Sequence, residues 1–512
     1  MSLKTDVCVI RLLRCFSESP LTASFLMRSQ SHSGPPSGWS RRELLESSGL
    51  GLGSLALSGL LADSREVAAA PARREKSISP LVASAPHHPP KAKRIIHLFM
   101  NGGPSQFDTF YPKPEVQRLS GKPLPKSISD QLQPTQRKRV GVLFGSPFKF
   151  RKYGDCGQPV SELFPNVARH VDELCIVRSM QGEIANHTPG LLLTNCGHST
   201  LPRPSIGSWM LYGLGNESDE LPGFVVLCPK GLPTAQTTNW TSAFMPGIYQ
   251  GTHIDTETSG KELIPNLTRN DIRTGSQRAQ VALTQFLNRR HMNLRPGDER
   301  LDSRIHTMEL AFRMQTTGTD AFDIQQEPQH LREAYGDTVQ GRNMLIARRL
   351  SERGVRYVQV YHGGGQPWDN HGSLVPRITQ LCQESDQPIA ALLSDLKQRG
   401  MLEDTLVIWG GEMGRTPTTQ SGSKDPNKIG RDHHIDGYTL WMAGGGIRPG
   451  MTYGSTDDFG MAVAENKVEL HDLHATILHL MGFDHRRLTY RYSGRDFRLT
   501  DVHGRIINEI LA

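Results

Sequence analysis

The sequence predicts an α/β protein whose core is a doubly wound, mostly parallel sheet with helices on both faces. Three observations point there. Short apolar runs of strand length alternate with helical stretches, the pattern of a crossover-connected parallel sheet. Three of those runs empty into paired glycines, beginning at Gly102, Gly363 and Gly410. The loops beyond the glycines carry carboxylates and imidazoles, and ligands of such sheets bind outside the carboxyl ends of the strands.

The chain has 512 residues. Its first 70 read as an N-terminal extension with an export signal. "SRRELLESSGLGLGSLALSGLLADS" (residues 40–64) sets Arg41 and Arg42 ahead of a weakly apolar run rich in Gly, Ala and Leu, the layout of a twin-arginine signal. The run is shorter and richer in glycine than a span of about 20 apolar residues requires. "VAAAPA" offers small residues for cleavage after Ala70, and Met27 is an alternative start. The expected partner here is the twin-arginine export machinery, which carries proteins already folded. The mature protein is expected in the periplasm or outside the cell, with no stable membrane span. Residues 71–92 read as a linker and 93–512 as one domain.

"IIHLFM" (95–100) begins the domain as a buried strand, broken by Gly102, Gly103 and Pro104, with Asp108 on the turn beyond. "ELCIVRSM" and "GFVVLC" are further strands. Between them "NHTPGLLLTN" reads as a helix opened by Thr188 and Pro189, since proline favours the first helical turn. Residues 267–352 are charged and helical in period, a helical insertion whose Met and Leu stripe reads as packing. "VRYVQVYHGGG", a helix over "DQPIAALLSDLKQRGML", the strands "DTLVIWGG" and "YTLWMAGGG", and the helix "HDLHATILHLMG" follow. The basic, turn-rich C-terminus predicts a small hairpin and a final helix.

The formal charge is +7, yet no basic stripe is interleaved with aromatics, so nucleic acid is not an expected partner. Cys156, Cys175, Cys196, Cys228 and Cys382 lack CxxC spacing, which argues against a zinc knuckle or a disulfide framework.

Chemistry concentrates in the loops. Asp108, then Asp369 and His371 in "WDNHG", Glu412 in "GGEMGR", and Asp432, His433 and His434 in "GRDHH" follow successive strands. Carboxylates mixed with imidazoles suit divalent metal ions, and so many donors could hold two.

"NGGPSQFDTFYPKP", "YHGGGQPWDNHG", "DTLVIWGGEMGRTP", "GRDHHIDGYTLWMAGGG", "HDLHATILHLMGFDH" and "YSGRDFRLTDVHG" together resemble the exported domain-of-unknown-function family fifteen-oh-one. This is a sulfatase-like, planctomycete type within the alkaline phosphatase superfamily, and the likeness runs over about residues 94–506. It implies a site for two divalent ions (Zn, Mn, Mg or Ca) at the sheet's carboxyl edge, with Asp108, Asp369, His371, Glu412 and His433 as ligands. Glu412 stands where relatives carry an Asp-His or Asp-Asn pair, and Met413 cannot replace the second ligand. His187, Asp432 and His434 are further ligand or supporting candidates. The catalytic candidates are Thr188, either nucleophile or helix cap, and Arg415, either ester contact or structural ion pair. For His471 and His474 the expectation is capping and packing.

Two functions follow. One is an exported metal-dependent hydrolase of sulfate or phosphate esters, small-molecule or polysaccharide, attacking through Thr188 or an activated water. The other is a non-catalytic, metal-bound exported binding or scaffold protein that keeps the fold.

Overall fold

The computed structural model describes residues 81, 83–130, 140–257, 274–295, 298–316, 318–420, 425 and 428–512. The twin-arginine segment and the Ala70 cleavage position lie outside the described residues.

The main sheet is built from β1 (Arg94–Phe99), β2 (Leu174–Gln181), β3 (Phe224–Leu227), β4 (Thr252–Ile254), β5 (Tyr357–Tyr361) and β6 (Thr405–Gly410). After a hairpin of β7 (Gly414–Thr419) and β8 (Arg431–His434) come β9 (Asp436–Ala443), β10 (Met451–Tyr453) and β11 (Val468–Glu469). Its order is β10-β2-β9-β6-β1-β5-β3-β4, with β11 also on β2. β1 pairs in parallel with both β5 and β6, Ile96 lying opposite Val358 on one side and Val407 on the other. β9 alone runs antiparallel to its neighbours, β2 and β6. The reason is its connection: a hairpin and not a crossover helix joins β6 to β9, so the chain returns in the opposite direction.

β1 shows why the run is apolar on both sides. Ile96, Leu98 and Met100 enter one core with side chains of helices α5 (Val339–Glu352) and α6 (Leu374–Gln398). Ile95 and Phe99 enter a second core with α1 (His187–Cys196), α2 (Ile206–Leu214) and α7 (Leu470–Leu480). The α/β class with covered faces is therefore as the sequence predicts.

Details differ from the sequence reading. Helix α6 begins at Leu374 and contains Pro388; the Asp386-Gln387-Pro388 run imitates a helix start, which hides the turns before it. The helical stretch 267–352 includes α3 (Thr274–Asn293) and α4 (Glu299–Thr316), but its last helix, α5, is a core element. Residues 87–92 are fastened to the domain, with backbone bonds from His87 and His88 to Gly482 and from Lys91 and Ala92 to Leu480. The C-terminal hairpin (Tyr490–Tyr492 with Arg495–Phe497) is present, but the last turn, Asn508–Ile510, is 3₁₀. The five cysteines named above are free, and no helix of the described residues is long and apolar enough to cross a membrane.

Candidate metal centre

β1, β5, β6 and β2 all point one way, so the loops that leave their carboxyl ends meet on one edge. Gly102 leaves β1 with φ +109, and a Cβ there would sit 2.6 Å from the Asp369 nitrogen. Only glycine lets the loops after β1 and β5 approach so closely. At this edge His187 opens α1, Asp369 and His371 follow β5, Glu412 follows β6, and His433 sits on β8.

Four of these side chains converge: ligand atoms of His187, Asp369, His371 and His433 all lie within 4.8 Å of one another. Asp369 Oδ1 is 2.8 Å from His371 Nε2 and 3.1 Å from His433 Nε2, and Asp369 Oδ2 is 3.2 Å from His187 Nε2. The His371 and His433 Nε2 atoms are 2.9 Å apart. His187 Nε2, though near Asp369, is buried and off-line for a hydrogen bond.

The opposite ring nitrogens explain this convergence. His187 Nδ1 meets Glu412 Oε1 at 2.8 Å, His433 Nδ1 meets the Ala185 carbonyl at 3.1 Å, and His371 Nδ1 meets Gln420 Oε1. Each acceptor calls for a proton on Nδ1, so the three Nε2 atoms are the ones that face Asp369 and ligate once deprotonated. Outer partners of this kind fix the tautomer of metal-binding histidines. The donor set therefore fits a divalent ion, with three imidazoles and one carboxylate.

Charge in the cluster is strongly coupled. Burial opposes protonation of His187, but the flanking Asp369 and Glu412 carboxylates outweigh that and raise it to about 9, so an ion binding there must displace the Nε2 proton. Burial likewise opposes ionisation of Asp369, yet the imidazoles of His187, His371 and His433 and the Arg415 charge around it hold its carboxyl well below the usual range.

Glu412 is 1% exposed and accepts from the Gly102 N–H at 3.0 and 3.1 Å as well as from His187. It stands behind His187, outside the four-donor group. Asp432 lies at the rim, its Oδ1 3.8 Å from His371 Nδ1 and bonded to the His433 N–H at 2.8 Å.

Four expectations are corrected, the first being Glu412 as a ligand, since His187 and Gly102 engage its carboxylate. Asp108 is outside the cluster: fully buried, it takes Arg431 Nε at 2.8 Å and Nη2 at 3.1 Å, with the Ser105 hydroxyl at 2.5 Å. Those donors occupy both oxygens. Arg415 is no ester contact, being 1% exposed; it bonds the Gly103 carbonyl at 2.9 Å and the Trp368 carbonyl at 3.3 Å, caps Gly102, and reaches Asp369 Oδ1 at 2.7 Å. It clamps the loops after β1 and β5 together. Thr188 is exposed and sits inside α1, the N-cap position being Asn186, so it is not the cap.

His433 and His434 are consecutive on β8, opposite Arg415 and Gly414, and alternate side chains point to opposite faces. His434 is consequently buried away from the cluster, where burial lowers its pKa against the opposing pull of Asp436 and Asp457. His471 and His474 bond the Gly197 and Thr194 carbonyls at 3.0 and 2.7 Å, packing α7 on α1. Sequence reasoning missed Gln420 and the Ala185 carbonyl altogether. Neither has a local signal, since their role exists only once a histidine from another loop arrives.

Strand order and cluster together define an α/β protein with a histidine and carboxylate centre at the carboxyl edge of its sheet. The chain belongs to the family described as "Protein of unknown function (DUF1501)", whose model matches residues 92–511. No curated protein matches it. Among solved structures it is similar to the PsFucS1 sulfatase from Pseudoalteromonas sp., at 11% identity over 77% of this chain and 68% of that one, TM-score 0.32. It is also similar to an alkaline phosphatase superfamily protein from Vibrio parahaemolyticus (10%, 80% and 71%, TM-score 0.34). The alkaline phosphatase of the Antarctic bacterium TAB5 is a third (13%, 77% and 99%, TM-score 0.32).

Proposed function

We propose that this protein is an exported metal-dependent hydrolase of sulfate or phosphate esters, its ion held by His187, Asp369, His371 and His433. The observation that carries the reading is the anchoring of three Nδ1 atoms, which turns three Nε2 atoms toward one carboxylate. An imidazole-rich set suits zinc better than manganese, magnesium or calcium, which favour oxygen donors. A bound divalent ion would polarise a sulfuryl or phosphoryl oxygen as a Lewis acid.

The chain's own groups do the rest. Glu412 keeps the His187 proton on Nδ1, and Arg415 holds Asp369 while tying the surrounding loops. Thr188, next in sequence to His187 and open to solvent, is the hydroxyl we assign to attack on the ester. The substrate is a small-molecule or polysaccharide ester, and the export route is the twin-arginine machinery.

A second reading, a non-catalytic metal-bound scaffold, is favoured by one observation: Arg415 is fully engaged with protein acceptors, so no described arginine of the cluster is free for the ester charge. Metal analysis of the purified protein, followed by turnover assays on aryl sulfate, phosphomonoester and phosphodiester substrates, separates the two. Bound metal with hydrolysis supports the hydrolase, and bound metal without turnover on any of them supports the scaffold. Failure to bind zinc or manganese overturns both.

A further inference from the structure

Helix α3 turns its more apolar side to solvent. Val281, Gln285, Asn288 and Met292, spaced for one helical face, are half-buried, and α3 packs beside α4. The opposite stripe holds Leu283, Phe286 and Leu287, exposed by 39, 39 and 52%, and Leu294 just past the helix is exposed by 77%. Such an outward stripe of large apolar residues is the reverse of the usual surface helix.

The charge on α3 selects what covers the stripe. Its sequence carries Arg278, Arg289 and Arg290 and no Asp or Glu. Arg290 falls one turn beyond Phe286, within the stripe itself. In a pair of such helices from two copies, two arginines would enter the seam without an acidic partner on either helix, and a buried unpaired charge is strongly destabilising. At a bilayer surface the same arginine extends its apolar stem along the stripe and sets its guanidinium among the phosphates. Leucine and phenylalanine on one side with arginines beside them is the composition of an interfacial helix.

We propose that α3 is a membrane-docking element that lies on an anionic phospholipid surface, with Leu283, Phe286, Leu287 and Leu294 entering the headgroup boundary. The docking is peripheral and reversible, and it does not depend on the metal centre or its chemistry.

The test uses the mature full chain with phosphatidylcholine vesicles, with and without phosphatidylglycerol, read by co-sedimentation. Binding is expected with phosphatidylglycerol and not with phosphatidylcholine alone, and it should weaken with salt. An arginine near an anionic surface contributes about fivefold in partitioning. R289Q/R290Q should therefore lose about 25-fold, and Phe286→Ser with Leu287→Ser should abolish binding. Both variants should retain the circular dichroism spectrum and unfolding midpoint of the parent, because the changed side chains face solvent. No binding to anionic vesicles, equal binding to both vesicle types, or a concentration-dependent dimer broken by the Phe286 and Leu287 changes would each overturn the proposal.

Discussion

Replacing Glu412 by glutamine tests how the cluster is built. The carboxylate accepts from the His187 Nδ1 at 2.8 Å and from Gly102 N at 3.0 and 3.1 Å, in a position 1% exposed. Glutamine keeps the volume but exchanges one oxygen for an NH₂ group. Turned toward His187, that group forces the imidazole proton onto Nε2, the atom that faces the cluster. Turned the other way, the remaining oxygen still serves both His187 and Gly102, but the negative charge that raises the basicity of the His187 ring is lost. Either way the metal should bind more weakly by the 10- to 100-fold typical of outer-partner changes, about 1.4–2.7 kcal/mol. The assay is a chelator-competition titration with zinc, run beside circular dichroism to show that the fold persists. Unchanged affinity would refute the anchoring role. A folded variant that takes up no metal at saturation would make Glu412 a ligand in its own right.

Asp108→Asn should destabilise the protein by about 3–5 kcal/mol by leaving Arg431 buried without its counter-charge, while metal content of the folded fraction stays at the parental value; a drop in metal content would return Asp108 to the ligand set. Thr188→Val should change stability by less than about 0.5 kcal/mol, being exposed and off the cap, and should abolish ester turnover at full metal occupancy; retained turnover removes it as nucleophile. Burial pushes His97 and His474 down to about 3, so folding favours their neutral forms and the unfolded chain takes up protons first as pH falls. Their contribution is complete above about pH 6.5 and is lost as pH falls toward 3, at about 2 kcal/mol for each histidine by pH 5; denaturant unfolding that is flat from about pH 7 to 5 would contradict this. Replacing Arg41 and Arg42 by lysine should hold the protein in the cytoplasm, as fractionation would reveal, and unchanged export would remove the twin-arginine reading.

The sheet was legible because each strand carries its own signal. The runs at Ile95, Leu406 and Tyr357 are buried throughout and apolar but for His97 and Gln359, as befits strands covered on both faces, and the glycines after them mark the edge where loops crowd. Asp369 and His371 were legible for the same reason, lying in the loop beyond a strand end, whereas His433 sits on β8 itself. Their family likeness added order and fold, and the family match over residues 92–511 agrees with it.

Roles within the site were a different matter, because residue type does not say what a side chain faces. Asp108 and Asp369 are both loop aspartates after a strand, but one meets Arg431 in a sealed pocket and the other meets three imidazoles and Arg415. Arg415 reads as an anion contact until the loops after β1 and β5 close over it. His187 ranks as a supporting residue in the sequence, yet in space it is a full member of the cluster, placed there by the start of α1 and oriented by Glu412 from 225 positions away. The sequence alone determined that strands and helices alternate, where the strands end, and which residue types wait at those ends, since these follow from local periodicity and backbone preference. Only the tertiary structure decided which of those side chains share a centre, because hydrogen-bond partners in this site come from loops far apart in the chain, and the direction of a lone pair is fixed by whatever the packed fold sets on the other side of the ring.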